Sequence, residues 1–319
     1  MAQSRVKLNK LKFLIGLVVE SVFAPMRGRP KLPVAVSAGE LGVTFIGHSS
    51  FLLQIGGLNL LIDPVFARSL VVLRRLRRVG VRIDQLPAID AVLISHAHMD
   101  HLNLPSLRKI IEQTRHLTGK APAVIVPWGV EDLVSELGFD RVVSLEWWQS
   151  AMLGKVEITM TPAKHWGARF FSDSHRGFGG YVLRSGAMSL YHAGDSAYFE
   201  KFSQIGERLA PQIALLPIGA YRPDSFRGVH MNPEEAFRAF QDLGAECLIP
   251  MHYGTFRLSQ EPMDEPVPFL LATARAAGSE EKVRVLAEGA TAIFPARESA
   301  IKTRVTEPIG NQATIAPAI

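Results

Sequence analysis

Between residues 41 and 64 the chain runs through short apolar stretches broken by glycine: VTFIG, SSFLLQIGG and LNLLIDP, followed by DAVLISH at 90–96. Each alternates with a period of two or is solidly apolar, which predicts the strands of an opening antiparallel sheet. The spacing then changes. LPSLRKIIEQT carries its apolar residues at helical intervals, APAVIVP predicts a strand, VEDLVSELGF a helix, and RVVSLE and KVEITMTPA two more strands. A second series repeats the theme: GGYVLRSG, MSLYHAGD, a helix from Phe199 to Leu209, QIALLPIG, a helix from Pro233 to Leu243, and AECLIPMH. Past Glu265 one further helix and the strands KVRVLAEG and TAIFPA complete it. The helix in NPEEAFRAFQDLG has its signals in order: Asn232 as N-cap, Pro233 at the first position, acids in the first turn, Gly244 after the end. Strands alternating with helices predict an α/β (α+β) architecture with sheets covered by helices. DAVLISH and QIALLPIG match in character, which predicts two related halves facing each other; no shorter period indicates a solenoid.

With 319 residues and 47% hydrophobic content, the chain can bury a large core. Three segments follow: a basic and apolar N-terminal stretch at 1–40, a layered domain at 41–297, and a flexible tail at 298–319. The first begins MAQSRVKLNKLKFLIGLVVESVFAP, with Arg5, Lys7, Lys10 and Lys12 ahead of an apolar run interrupted by Glu20. The run is too short to span a bilayer and no small-residue cleavage site precedes Pro25, so an interfacial helix is the first reading, a helix packed on the domain the second, a signal peptide the third. Net charge is +5, compatible with anionic substrates or lipid surfaces. The single cysteine, Cys247, excludes a disulfide framework and predicts a reducing, cytoplasmic setting, here peripheral to a membrane.

The chemistry gathers at strand ends. SHAHMDH puts His96, His98, Asp100 and His101 directly after the apolar run DAVLI; His165 follows KVEITMTPA, Asp195 closes MSLYHAGD, and His252 follows AECLIPM. Layered folds place ligands at the carboxyl ends of strands, where the loops converge on one rim. One tetrahedral ion needs fewer than these seven donors; imidazoles and carboxylates in this number suit two zinc-type ions sharing Asp195. His116, His175 and His192 are read as ordinary surface or core histidines.

The order H-x-H-x-D-H, a lone His, G-D and a strand-end His resembles the metallo-β-lactamase superfamily over roughly Leu41 to Pro295. That resemblance implies a four-layer αββα sandwich. It also implies that His96, His98 and His165 hold one zinc, that Asp100, His101 and His252 hold the other, and that Asp195 bridges them. Asp63 in LLIDP is then an acceptor beneath the site that orients a ligand imidazole, where an Asp-Pro turn is the plainer alternative. IGHSSFLL, PAKHWGARF, LPIGAYRP, HMNPEEAFRAF and MHYGTFRLS further resemble N-acyl-phosphatidylethanolamine-hydrolysing phospholipase D and its bacterial relatives. Phe178, the segment RPDSFRGV and Ser196 depart from that family's pattern, which puts the lipid's identity in question rather than the reaction.

The resulting expectation is a zinc-dependent phosphodiesterase acting on a phospholipid through a bridging hydroxide, with Asp100 and His230 as catalytic candidates. His230 would protonate the leaving group or bind phosphate; a loop histidine beside the helix cap is the alternative. His48, Tyr221, Arg74 and Arg75 are the candidate substrate contacts, the arginines lying in the basic, apolar segment 67–87. A nuclease, a lactonase or ester hydrolase, and a non-catalytic metal-bound membrane adaptor remain alternatives. Nucleic acid is disfavoured because no RNA-clamping insertion is evident. A di-iron redox protein of this fold would be expected to carry glutamate at position 98.

Overall fold

The computed structural model of the protein describes residues 15–19, 21, 24–37, 39–169, 173–295 and 313–315. Its strands are β1 (Leu41–Gly47), β2 (Ser50–Ile55), β3 (Leu58–Ile62), β4 (Ser69–Leu70), β5 (Leu73–Arg74), β6 (Ala91–Leu93), β7 (Ala123–Pro127), β8 (Arg141–Leu145), β9 (Ser150–Leu153), β10 (Val156–Thr161), β11 (Gly180–Ser185), β12 (Met188–His192), β13 (Ile213–Pro217), β14 (Cys247–Met251), β15 (Thr291–Phe294) and β16 (Ala313–Ile315). The helices are α1 (Leu104–Thr118), α2 (Lys201–Leu209), α3 (Pro233–Leu243) and α4 (Pro266–Ala276).

Two seven-stranded sheets form, in the orders β15-β1-β2-β3-β6-β7-β8 and β14-β13-β12-β11-β10-β9-β16. Each combines an antiparallel meander with a parallel run: β6, β7 and β8 follow β3 in parallel, as β13 and β14 follow β12. The expected pairing of related halves is therefore present. The alternation along each strand decides which face it buries. Phe51, Leu53 and Ile55 of β2 join one core cluster while Leu52 joins the other; Leu60 and Ile62 of β3 part from Leu61 in the same way. The larger cluster fills the space between the sheets and continues into the apolar faces of α2, α3 and α4. The smaller lies beneath α1, through Leu107 and Ile110. Sheets inside and helices outside make the four-layer αββα sandwich.

Capping behaves as its chemistry requires. The Asn232 side chain accepts from the Glu235 N–H at 2.8 Å, Glu235 reaches back to the Asn232 N–H, and Gly244 closes α3 at φ 62°. Five expectations change. DAVLISH, expected in the opening antiparallel sheet, joins β3 in parallel as β6. VEDLVSELGF forms two single 3₁₀ turns, Glu131–Leu133 and Ser135–Leu137, because the backbone leaves the helical region at Val134 (φ −121°) and Gly138 turns left-handed after the second. KVRVLAEG makes only one bridge, Val283 to Leu248, after a 3₁₀ turn. Ser150–Leu153 is an additional strand, and Ser69–Leu70 with Leu73–Arg74 makes a small hairpin inside the basic segment. Within 298–319 only Ala313–Ile315 is described, adding a parallel edge strand beside β9.

Of the N-terminal segment, residues 15–19 are helical, with Leu17 buried and Ile15 and Val19 exposed. The Arg74 N–H donates to Ser21 Oγ at 3.3 Å, and Arg27 lies alongside Arg77, so this stretch packs along the basic segment. Arg5, Lys7, Lys10 and Lys12 lie outside the described residues. Among the described residues no helix is long and apolar enough to cross a membrane.

Candidate metal centre

Every expected ligand comes from the carboxyl end of a strand on the same rim, and the backbone there takes conformations that regular strands avoid. His48 after β1, Asp63 after β3 and His252 after β14 have φ of 61°, 45° and 60°. Left-handed backbone at non-glycine residues is uncommon and concentrates where a site over-determines it. Gly194 (φ 61°) makes the turn that delivers Asp195; a Cβ there would sit 2.7 Å from the Gly179 carbonyl oxygen and 2.9 Å from Ser95 Cβ. The halves are also fastened beside the site, by Tyr181 Oη donating to the Ile94 carbonyl at 2.8 Å and Gly179 N–H to the Ser95 carbonyl at 3.0 Å.

Asp195 Oδ2 is the centre of the arrangement. It lies 3.0 Å from His252 Nε2, 3.3 Å from His101 Nε2, 3.9 Å from His165 Nε2 and 4.0 Å from His96 Nε2. On one side His98 Nδ1 is 2.8 Å from His96 Nε2 and 3.2 Å from His165 Nε2. On the other, Asp100 Oδ2 is 3.5 Å from His252 Nε2 and 3.7 Å from His101 Nε2. The side chains thus divide into His96, His98, His165 with Asp195, and Asp100, His101, His252 with His48. All seven ligands expected from the sequence converge, with Asp195 positioned between the two sets.

The outer contacts hold the rings in place. Asp63, fully buried, accepts from Ser95 N–H at 2.7 Å and Ser95 Oγ at 2.6 Å, and its Oδ2 is 2.7 Å from His101 Nδ1. His101 Nε2 therefore points into the site. Asp63 is thus the orienting acceptor rather than only a turn former. His165 Nδ1 is 2.9 Å from the Val229 carbonyl oxygen, and by donating to it fixes that ring's Nε2 as the free lone pair. Ser196 receives the Lys164 N–H at 2.9 Å, tying the His165 strand end to the Asp195 turn; the hydroxyl that does this is common to serine and threonine.

The donor set fits a cation. Several buried atoms here lack a well-directed hydrogen bond: His101 Nε2 and His252 Nε2, which only approach Asp195 Oδ2, and Asp195 Oδ1, His230 Nδ1 and His48 Nδ1. Unpaired buried polar atoms are costly, and a cation among them satisfies several at once. Charges agree. Burial opposes ionisation of Asp195 and Asp100, but the surrounding imidazoles, His101 foremost, hold both carboxyls well below their usual range. Burial also keeps His96, His98 and His165 neutral. Without a cation, burial of His101 and His252 is outweighed by the aspartates, which raise His101 well above the ordinary value and His252 to about 9. Those two are where a metal would displace protons.

Candidate substrate contacts fare differently. His48 is 1% exposed, its Nε2 on Asp100 Oδ2 at 3.0 Å, and burial lowers it to about 3; it braces a ligand instead of meeting substrate. Tyr221 is buried, with its hydroxyl donating to Glu265 at 2.6 Å. Arg75 is 2% exposed; its guanidinium donates to the Ala67 and Val65 carbonyls and lies over the Phe256 ring, so it is a buried structural arginine. Arg74 lies in β5 of the hairpin. His230 does reach the centre, with Nδ1 3.8 Å from Asp195 Oδ2. His192 is a core residue, hydrogen-bonded to Ser49 and Gly194. Two contributors escaped the sequence reading although HWGAR contains both. Trp166 is 45% exposed and stacks on His165 with centroids 4.4 Å apart; Arg169 Nη1 donates to the Ala97 and Leu102 carbonyls, clamping the SHAHMDH loop.

Fold and site together define a metal-dependent hydrolase. The profile of the β-lactamase superfamily domain matches residues 58–253, which contain every ligand above, and the chain belongs to this superfamily. It is 33% identical to the mitochondrial N-acyl-phosphatidylethanolamine-hydrolyzing phospholipase D of Saccharomyces cerevisiae, over 82% of this chain and 59% of that protein. It is 32% identical to a UPF0173 metal-dependent hydrolase of Rubrobacter xylanophilus, over 79% of this chain and 96% of that one. Among solved structures, the metallo hydrolase Igni18 of Ignicoccus hospitalis matches with a TM-score of 0.60 at 25% identity, over 81% of this chain and 100% of its own.

Proposed function

We propose that this protein is a dinuclear zinc phosphodiesterase that cleaves a phospholipid on the headgroup side of the phosphate, working in a reducing compartment at a membrane surface. The carrying observation is Asp195 Oδ2 lying within 4.0 Å of imidazole nitrogens from both ligand sets. Sharing one carboxylate oxygen is what brings two cations close enough to act on a single phosphate. His96, His98 and His165 would hold one zinc and Asp100, His101 and His252 the other. Bound there, such a pair supplies Lewis acidity and an ionised water at neutral pH.

The chain's own groups do the rest. His230, which burial lowers to about 4 and so keeps neutral at pH 7, can donate an Nδ1–H to a phosphate oxygen. Asp100, braced by His48 and held ionised by the surrounding imidazoles, faces the same space and can orient the attacking water by accepting its hydrogen bond. Trp166 offers an exposed indole face beside His165 for the apolar part of the substrate. The similarity to a phospholipase D that hydrolyses N-acyl-phosphatidylethanolamine supports the lipid class.

The test combines elemental analysis of purified protein with incubation on N-acylated phosphatidylethanolamine and, separately, on RNA. Close to two zinc ions per chain and release of phosphatidic acid support the reading. Metal content with RNA cleavage and no lipid cleavage would move the enzyme to the nucleases.

A further inference from the structure

We propose that the tip of the β4–β5 hairpin, Val71–Val72, together with the basic edge around it, is the surface by which the enzyme docks on an anionic phospholipid bilayer. This deepens the phospholipid reading and rests on it for its purpose.

Val71 and Val72 are 78% and 50% exposed, adjacent, at the end of a two-residue hairpin. Val71 also has φ 50°, a left-handed conformation in which a β-branched residue is an outlier and asparagine or glycine is at ease. Neither solubility nor the turn accounts for valine there, whereas an apolar partner outside the protein does. A second apolar element adjoins it, since the stretch with exposed Ile15 and Val19 reaches β5 through the Ser21–Arg74 hydrogen bond.

Charge identifies the partner. Residues 24–37 and 65–83 contain nine arginines and lysines and no acid. Arg68 and Arg78 are exposed near the hairpin, and Arg27 is exposed alongside Arg78, whose N–H donates to the Arg27 carbonyl at 2.8 Å. Four acids face this edge: Glu288 takes Arg77, Asp84 takes Arg82, Glu112 lines a cleft with Arg82 and Lys109, and Asp264 lines another with Arg27 and Arg77. An apolar tip on an edge that carries exposed arginines matches a leaflet of anionic headgroups over acyl chains. A line of buried side chains also links the base of the hairpin to the metal centre. Leu70 packs with Val65 and Phe256, the Phe256 ring meets His48 edge-on at 5.3 Å, and His48 holds Asp100.

The experiment is co-sedimentation of the full chain with phosphatidylcholine vesicles, with and without phosphatidylglycerol. Wild type should bind the anionic vesicles and lose them with rising salt. The double substitution Val71→Asn and Val72→Asn should weaken binding at least about tenfold, from lost apolar burial. Arg68→Gln with Arg78→Gln should weaken it roughly 25-fold, about fivefold per charge. Both should keep wild-type metal content and unfolding temperature. Absence of vesicle binding by wild type, or wild-type binding by the valine variant, overturns the docking proposal. Cleavage of phospholipid in detergent micelles without vesicle binding would sink the docking surface alone. Docking without any lipid cleavage would sink the substrate reading alone.

Discussion

Removing the Asp63 carboxylate is expected to disable the metal centre from below while leaving every ligand in the sequence. The side chain is fully buried and accepts three hydrogen bonds, two from Ser95 and one from His101 Nδ1, at 2.6–2.7 Å. In Asp63→Ala the Ser95 hydroxyl retains a partner, because His96 Nδ1 is 2.9 Å away. The Ser95 N–H is left without one, and His101 Nδ1 keeps only the 3.4 Å contact with Ser95 Oγ. An orphaned donor costs about 1–3 kcal/mol, so a loss of at least roughly 1–3 kcal/mol of stability follows. The released His101 ring no longer has its Nε2 aimed at Asp195, and loss of such an outer partner typically lowers metal affinity or activity about 10–100-fold. Chelator competition reads the affinity and thermal unfolding the stability; the effect should persist in Asp63→Asn, which keeps volume but not charge. If Asp63→Ala bound metal as tightly as wild type, the claim that this carboxylate orients His101 would be refuted.

Chelating the bound metal should lower the unfolding temperature, because the buried imidazoles and Asp195 lose their common partner; at a metal concentration about 1,000 times Kd the stabilisation is about 4 kcal/mol. A scan that is insensitive to chelator speaks against a structural contribution from the centre. Gly194→Ala should cost about 1–2 kcal/mol from left-handed backbone alone, more because the new Cβ meets Gly179 and Ser95, and should displace Asp195. Its metal content checks this: full loading would show that the turn adapts. Arg169→Met removes two charge-assisted hydrogen bonds to the ligand loop, each worth about 1.5–3 kcal/mol, so amide exchange should quicken across 96–102 while α3 stays protected. Equal protection in the variant would show the clamp to be dispensable.

What the sequence carried was local. Periodicity of two exposed the strands, the Asn-Pro and glycine signals bounded α3, and the crowding of His96, His98, Asp100 and His101 announced a ligand loop before any fold was known. Where an element depended on neighbours, sequence fell short. Ser150–Leu153 is too short for a periodic signal and exists because β10 pairs with it, while VEDLVSELGF has helical spacing but breaks into single turns at Val134 and Gly138. The same division holds at the site. Candidate ligands were legible because metal chemistry restricts residue type, so His165, Asp195 and His252 could be named from strand ends, and the fold brings them together. Orientation was not legible. Arg75 and Tyr221 have the chemistry of substrate contacts, yet packing turns one onto the Val65 and Ala67 carbonyls and the other onto Glu265; His48 is drawn behind Asp100. A sequence states which groups a residue can offer, and through its periodicity which face of an element it occupies. Only the packing of two sheets fixes the direction of each side chain, because that depends on distant backbone carbonyls and carboxylates that no local pattern encodes.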